Sequence, residues 1–147
     1  MNAKKKVLFL CTGNYYRSRF AEELFNCLAA EFLPNWSAES RALGIEAGVF
    51  NHGPISPHAL AELAKRNISL TEPVRDPLPC TEEDLLKADH IIALKEEEHR
   101  PQLDRKFPES SNLVEYWHIH DIDQADPEQA LEGIAKNVRQ LIDELRG

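Results

Sequence analysis

The residue types best suited to chemistry lie together in one short segment, Cys11-Thr-Gly-Asn-Tyr-Tyr-Arg17-Ser18. A cysteine thiolate is a strong nucleophile, and the guanidinium of Arg17 offers a planar fork of N–H groups that can hold two phosphoryl oxygens. Gly13 and Asn14 are residue types that tolerate the positive φ angles of a tight loop. Ser18 can donate a hydrogen bond to the thiolate. The segment therefore predicts a phosphate-binding loop with a cysteine nucleophile, lined by Thr12, Gly13, Asn14, Tyr15, Tyr16, Arg17 and Ser18.

A strand and a helix must position this loop. The continuous apolar run from Val7 to Cys11 is typical of a strand buried on both faces. After the loop, apolar residues recur at helical spacing over residues 18–33. The predicted buried stripe is Phe20, Leu24, Phe25, Leu28 and Phe32, with Cys27 beside it and also expected in the core. A phosphate held between the two elements would gain from the helix dipole.

The remaining chain alternates strands with helices. Strands are predicted at about 37–43, 90–94 and 112–120, and helices at about 56–66, 96–103 and from 127 onward, with a capping box at 81–84 opening a short one. The run from Lys95 to Arg100 is interpreted as a solvated helix face. This order predicts an α/β fold, one domain over residues 1–147, with a parallel sheet covered on both faces. Ligands bind beyond the carboxyl ends of such strands, where Cys11 lies.

Charge, cysteine content and hydropathy limit the classes of partner and of compartment that suit this chain. The 147-residue chain has a net charge of −8, which argues against nucleic acid or an anionic membrane as partner. Three scattered cysteines do not make a disulfide framework or a metal cage. The longest apolar run near the N-terminus is too short for a signal peptide or a membrane span, so the expected compartment is the cytoplasm.

The segment from Val7 through Ser18 resembles the start of the low-molecular-weight protein tyrosine phosphatases and of the related thioredoxin-coupled arsenate reductases. The resemblance extends to Ser40, to Val74-Arg75 and to an aspartate after the last strand. It implies a compact fold with four parallel strands, no metal or other cofactor, and a phosphocysteine intermediate. Cys11 would attack phosphorus and Arg17 would stabilise the equatorial oxygens. Asn14 would hold the loop in shape, with Ser40 as its second-layer partner.

Two features depart from the family pattern. The cysteine that usually precedes the loop arginine is Tyr16 here, and Tyr15 replaces a usual aliphatic residue. The family's general acid follows the last strand as Asp-Pro and an aromatic. Asp121 aligns best by the end of the strand and is the predicted acid, with Asp123 and Asp126 as alternatives; only Asp126 precedes a proline.

The predicted function is hydrolysis of a phosphomonoester, either a phosphotyrosine protein or a small aryl phosphate, with inorganic phosphate as product. An arsenate reductase is the first alternative, although only Cys80 lies where the reductases carry two further cysteines. The second alternative is a catalytically weak module that binds phosphate or phosphotyrosine. His118 and His120 have the spacing of a His-x-His metal-binding motif, but the sequence offers no further ligands at a suitable spacing.

Overall fold

The apolar run that precedes the loop forms the central strand of a four-stranded sheet. In the computed structural model, which describes residues 4–48, 51–120 and 126–147, all strand pairs are parallel and the order is β2-β1-β3-β4. The strands are β1 (Lys5–Cys11), β2 (Trp36–Ala42), β3 (His90–Ala93) and β4 (Glu115–Tyr116). The helices are α1 (Arg17–Phe32), α2 (Pro57–Lys65), α3 (Glu82–Lys87), α4 (Glu96–Lys106) and α5 (Pro127–Arg146). The predicted α/β fold class is confirmed.

Each face of β1 packs into its own core, because successive side chains of a strand point to opposite faces. Val7, Phe9 and Cys11 face a core that includes apolar residues of α1, α2 and α5. Leu8 and Leu10 face a smaller core formed with α3 and α4. Helices therefore cover both faces, and the apolar run is continuous because neither face of β1 meets water.

The strand order places the loop at a crevice in the sheet. The chain leaves β1 for β2 on one side, whereas β3 pairs with the other side of β1. In open parallel sheets, ligands bind at such a reversal of strand order, beyond the carboxyl ends. Cys11 is the last residue of β1, so the predicted nucleophile stands at this point.

Three expectations about burial and strand length differ from the structure. Phe32 is 43% exposed, and Cys27 is exposed rather than in the core, although Ala29 between them is buried. The last strand contains only Glu115–Tyr116 instead of residues 112–120, and it continues as an isolated bridge between His118 and Lys95. The buried residues around this strand, Val114, Trp117 and Ile119, are three and then two positions apart, so the strict alternation of a longer strand is broken.

Candidate active site

The loop between β1 and α1 ends at an open helix N-terminus. Residues 12–16 turn back on themselves, and α1 begins at Arg17. Tyr16 occupies the N-cap without a side-chain capping bond, and the first turn contains no acidic residue. The first amides of a helix lack partners within it and carry the positive end of its dipole, so this arrangement suits an anion.

The thiol at the end of β1 is buried against a hydroxyl. Cys11 is 3% exposed, and its Sγ lies 2.9 Å from Ser18 Oγ. That oxygen also accepts a hydrogen bond from Asn14 Nδ2 at 2.9 Å, so the hydrogen of the hydroxyl is available to the sulfur. A thiolate at Cys11 would therefore receive a hydrogen bond from Ser18.

Asn14 holds the middle of the loop in a left-handed conformation. Its φ is 52° and its side chain is fully buried. Nδ2 donates to Ser18 Oγ and, at 2.8 Å, to Ser40 Oγ; Oδ1 accepts from Arg75 at 3.0 Å and from the N–H of Leu78 at 3.1 Å. All four hydrogen-bonding positions of the amide are thus occupied. Gly13, by contrast, does not take a positive φ, and a Cβ there would meet Asn51 Nδ2 at an ordinary 3.7 Å.

A partly buried ion pair between Arg75 and Glu22 supports the side chain of Asn14. Arg75 also donates to Ser40 Oγ at 3.0 Å and pairs with Glu22 at 3.0 Å, while Ser40 donates to Glu22. Burial lowers the pKa of Arg75. Burial also raises the pKa of Glu22, although the hydrogen bond from Ser40 acts in the opposite direction. Because each side chain contacts two others, the network fixes the rotamer of Asn14 and with it the loop.

Arg17 is 2% exposed and is held on two sides. One terminal nitrogen donates to the carbonyl of Ile119 at 3.0 Å, and the other pairs with Glu98 Oε2 at 2.7 Å. Burial raises the pKa of Glu98, but hydrogen bonds from His99 and Arg17 and the charge of Arg17 hold it well below its usual range. Glu98 is therefore ionised near neutral pH.

A pocket of about 320 Å³ opens above the loop. The loop contributes Cys11, Thr12, Gly13, Tyr15, Tyr16 and Arg17 to its lining, and the opposite wall includes Asn51, Ser56, Pro57 and His58. Two hydrogen bonds join this wall to the loop. The hydroxyl of Tyr15 donates to the carbonyl of His52 at 2.6 Å, and the backbone carbonyl of Tyr15 accepts from the N–H of Ser56 at 2.9 Å. The side chains of Asn14 and Ser18, which were predicted to line the site, are fully buried and do not line this pocket.

The predicted general acid lies outside the described residues, as does Asp123. Asp126 is described: it is exposed at the N-cap of α5, directly before Pro127, and its side chain makes no capping bond. His118 and His120 are both exposed. Within the described ranges, no group of three His, Cys, Asp or Glu side chains could hold a metal ion, and no helix has the length and apolar composition needed to cross a membrane.

Glu22 and Glu98 are not among the site residues predicted from the sequence, and Arg75 enters there only as part of the family resemblance. The predicted solvated face at the start of α4 is wrong for Glu98, which pairs with Arg17, and for His99, which is fully buried. One signal was available, because α4 follows β3 and so begins at the same sheet edge as the loop. No pattern in the sequence brings Arg75 or Glu22 to Asn14.

The fold and the loop define a class: parallel α/β proteins with a cysteine at the end of the first strand, directly before a loop that leads into a helix N-terminus. Residues 6–146 match the low molecular weight phosphotyrosine protein phosphatase family. The chain belongs to this family, and the prediction of a low-molecular-weight, cysteine-dependent phosphatase is confirmed.

Individual relatives agree with this assignment. The protein-arginine-phosphatase of Bacillus subtilis (strain 168) is 33% identical over 144 residues, which cover 95% of this chain and 90% of that protein. An arsenate reductase of Bacillus cereus (strain G9842) is 34% identical over 95 residues, 64% of this chain and 61% of that protein. Among solved structures, the low molecular weight protein tyrosine phosphatase from T. tengcongensis has a TM-score of 0.75 at 26% identity, with 97% of each chain covered.

Proposed function

We propose that this chain hydrolyses phosphotyrosine through a covalent phosphocysteine on Cys11. The observation that carries the proposal is the Cys11 Sγ–Ser18 Oγ contact of 2.9 Å at a pocket that Arg17 also lines. A thiolate there faces an open helix N-terminus and an arginine, which are the groups that bind and polarise a phosphoryl group. A phosphate-sized anion and a nucleophile would thus share one loop.

The reaction has two displacements. In the first, the Cys11 thiolate attacks phosphorus, an S–P bond forms, the P–O bond to the phenol breaks, and the leaving oxygen takes a proton from an aspartic acid. In the second, water attacks phosphorus, the same aspartate takes its proton, and the S–P bond breaks to release inorganic phosphate. Arg17 stabilises the equatorial oxygens in both steps. Asp121 is the proposed acid, with Asp123 and Asp126 as alternatives.

Aromatic walls support an aryl phosphate as substrate. Tyr15, Tyr16 and His58 line the pocket, and the rings of Tyr16 and His58 meet edge to face at 6.4 Å between centroids. A phenyl ring packed against these side chains in the pocket gains from burial and from aromatic contacts. A phosphorylated protein as the partner and the cytoplasm as the compartment stay predictions.

Phosphoarginine is the second candidate, because the relative that covers 95% of this chain is a protein-arginine-phosphatase. An arsenate reductase is less well supported. That reaction needs thiols that accept electrons from the site, whereas burial and the charge of Asp84 raise the pKa of Cys80 to about 12. A thiol with so high a pKa is protonated near neutral pH, and it therefore reacts slowly with the arsenic–cysteine adduct that a reductase must resolve.

Hydrolysis of para-nitrophenyl phosphate in excess chelator tests the proposal. We expect turnover that chelator leaves unchanged, that Cys11→Ser lowers by at least about 1,000-fold, and that Asp121→Asn lowers by at least about 100-fold. An inactive wild type would end the proposal. If Asp126→Asn loses activity while Asp121→Asn keeps it, the acid is Asp126.

The substrate is tested with two peptides of one sequence, one phosphorylated on tyrosine and one on arginine. We expect kcat/KM to be at least about tenfold higher for phosphotyrosine, a difference of ~1.4 kcal/mol in transition-state binding. The opposite ratio would assign the site to phosphoarginine.

A further inference from the structure

One carboxylate contacts both ends of the phosphate-binding loop. Glu98 Oε2 accepts a hydrogen bond from Thr12 Oγ1 at 2.5 Å and one from Arg17 at 2.7 Å. Thr12 is the first residue after the strand, and Arg17 is the first residue of α1. The two ends of the loop are therefore joined by a side chain that belongs to neither of its flanking elements.

The position of this carboxylate is itself fixed. The neighbouring His99 is fully buried, and its Nδ1 accepts the N–H of Lys95 at 3.0 Å, so the other ring nitrogen carries the proton. That nitrogen lies 3.2 Å from Glu98 Oε2. One turn further along α4, Gln102 donates to Thr12 Oγ1 at 3.1 Å. The start of α4 thus forms one hydrogen-bonded unit with the loop.

We propose, on the basis of the proposed function, that Glu98 is a positioning residue that joins Thr12 to Arg17 and orients the guanidinium toward the phosphoryl group. Contacts on two nitrogens define the plane of a guanidinium, and Glu98 and the carbonyl of Ile119 supply them. Donors fixed before the reaction stabilise a transition state without reorganising, so the effect of Glu98 falls mainly on kcat.

A competing interpretation makes the opposite prediction. A carboxylate that pairs with Arg17 could simply withhold the arginine from an incoming phosphate. Its removal would then tighten phosphate binding and leave kcat unchanged or raised. A purely structural role would lower stability and leave kcat per folded molecule unchanged.

The variant that separates these roles is Glu98→Gln, which keeps the shape of the side chain and removes its charge. Its matched control is Glu97→Gln, which makes the same charge change at an exposed neighbour on the same helix. With para-nitrophenyl phosphate we expect Glu98→Gln to lower kcat by at least about tenfold and Glu97→Gln to stay within about twofold of wild type. A Glu98→Gln kcat within twofold of wild type would overturn the proposal.

The link between the two loop ends is tested with Thr12→Val, which replaces the hydroxyl with a methyl group of similar size. If Glu98 acts through Thr12 and Arg17 together, the double variant Thr12→Val/Glu98→Gln should be no slower than Glu98→Gln alone. Fully multiplicative losses would contradict the joint role. Circular dichroism establishes that each variant folds; if Glu98→Gln does not fold, an unchanged kcat in Thr12→Val would refute the proposal.

Binding of inorganic phosphate, measured by calorimetry, tests the inference without turnover. We expect its Kd in Glu98→Gln to be equal to that of wild type or weaker. A Kd tightened by more than about threefold would identify Glu98 as a competitor. If the wild type binds phosphate but does not hydrolyse para-nitrophenyl phosphate, the proposed function fails, and this comparison still decides whether Glu98 competes with phosphate for Arg17.

Discussion

At the scale of single residues, the nucleophile has no thiol within reach among the described residues. Cys80 follows Pro79, which bridges to Ala42, and Ala42 pairs with Cys11. Two strand spacings, about 9.5 Å, therefore separate Pro79 from Cys11, whereas a disulfide needs Cα atoms within about 7 Å. Cys27 lies ten residues beyond Arg17 in α1, about 15 Å along the helix axis.

Peroxide should therefore inactivate the enzyme without forming an internal disulfide. Oxidised Cys11 would proceed from sulfenic to sulfinic acid, because Tyr16 stands where a thiol could trap it. We expect mass spectrometry to find added oxygen on the Cys11 peptide and activity that thiol reductants restore only early in the reaction. A loss of two hydrogens linking Cys11 to Cys27 or Cys80 would contradict this, and Cys11→Ser is the control.

Single residues also show how much of the site can be predicted from the sequence. Cys11, Arg17 and Asn14 follow from residue type and spacing within one loop, and Ser40 followed from the family resemblance; in the structure Ser40 lies 2.8 Å from Asn14. Glu98 is about 80 residues from the loop in sequence, in an acidic run of ordinary appearance. Its function depends on which turn of α4 faces the sheet edge, and polar residue types do not reveal that orientation.

At the scale of elements, the helices with clear end signals were predicted best. Ser56-Pro57 begins α2 and Asp126-Pro127 begins α5, where proline at the first position loses no hydrogen bond. The last strand was predicted worst, because an edge strand of irregular burial has no strong periodicity. Elements defined by local backbone chemistry can be predicted from sequence, whereas those defined by their neighbours cannot.

The capping box of α3 gives a prediction about stability alone. Thr81 accepts the N–H of Asp84 at 3.2 Å, and Asp84 accepts the N–H of Thr81 at 2.9 Å. Thr81→Ala should lower the free energy of unfolding by about 1 kcal/mol, because the N–H of Asp84 in the first turn of a short helix loses its partner. Urea denaturation measures this loss.

Thr81→Ser is the matched control, since it retains the hydroxyl and should cost less than about 0.5 kcal/mol. The kcat for para-nitrophenyl phosphate should not change in either variant, because neither side chain contacts the pocket. Equal stability of the alanine and serine variants would show that the capping bond contributes nothing.

At the scale of the whole molecule, the proposed phosphate site lies in an acidic protein. The net charge is −8, yet the chain through Phe20 carries no acidic residue, and the loop ends at Arg17 and a helix N-terminus. Anion binding here depends on local donors in a pocket, since the field of the whole chain opposes it. The affinity should therefore depend on Arg17 more than on the overall charge.

Phosphate binding should stabilise the whole fold, because the loop that binds it exists only in the native state. Linkage gives a gain of about 2.7 kcal/mol at a phosphate concentration of 100 Kd. We expect the urea midpoint to rise with inorganic phosphate in wild type and in Cys11→Ser, and to rise far less in Arg17→Ala. Sodium chloride at equal ionic strength is the control, because salt alone screens the repulsion within a chain of charge −8. A midpoint that rises equally in chloride, or equally in Arg17→Ala, would mean that the stabilisation does not arise at this loop.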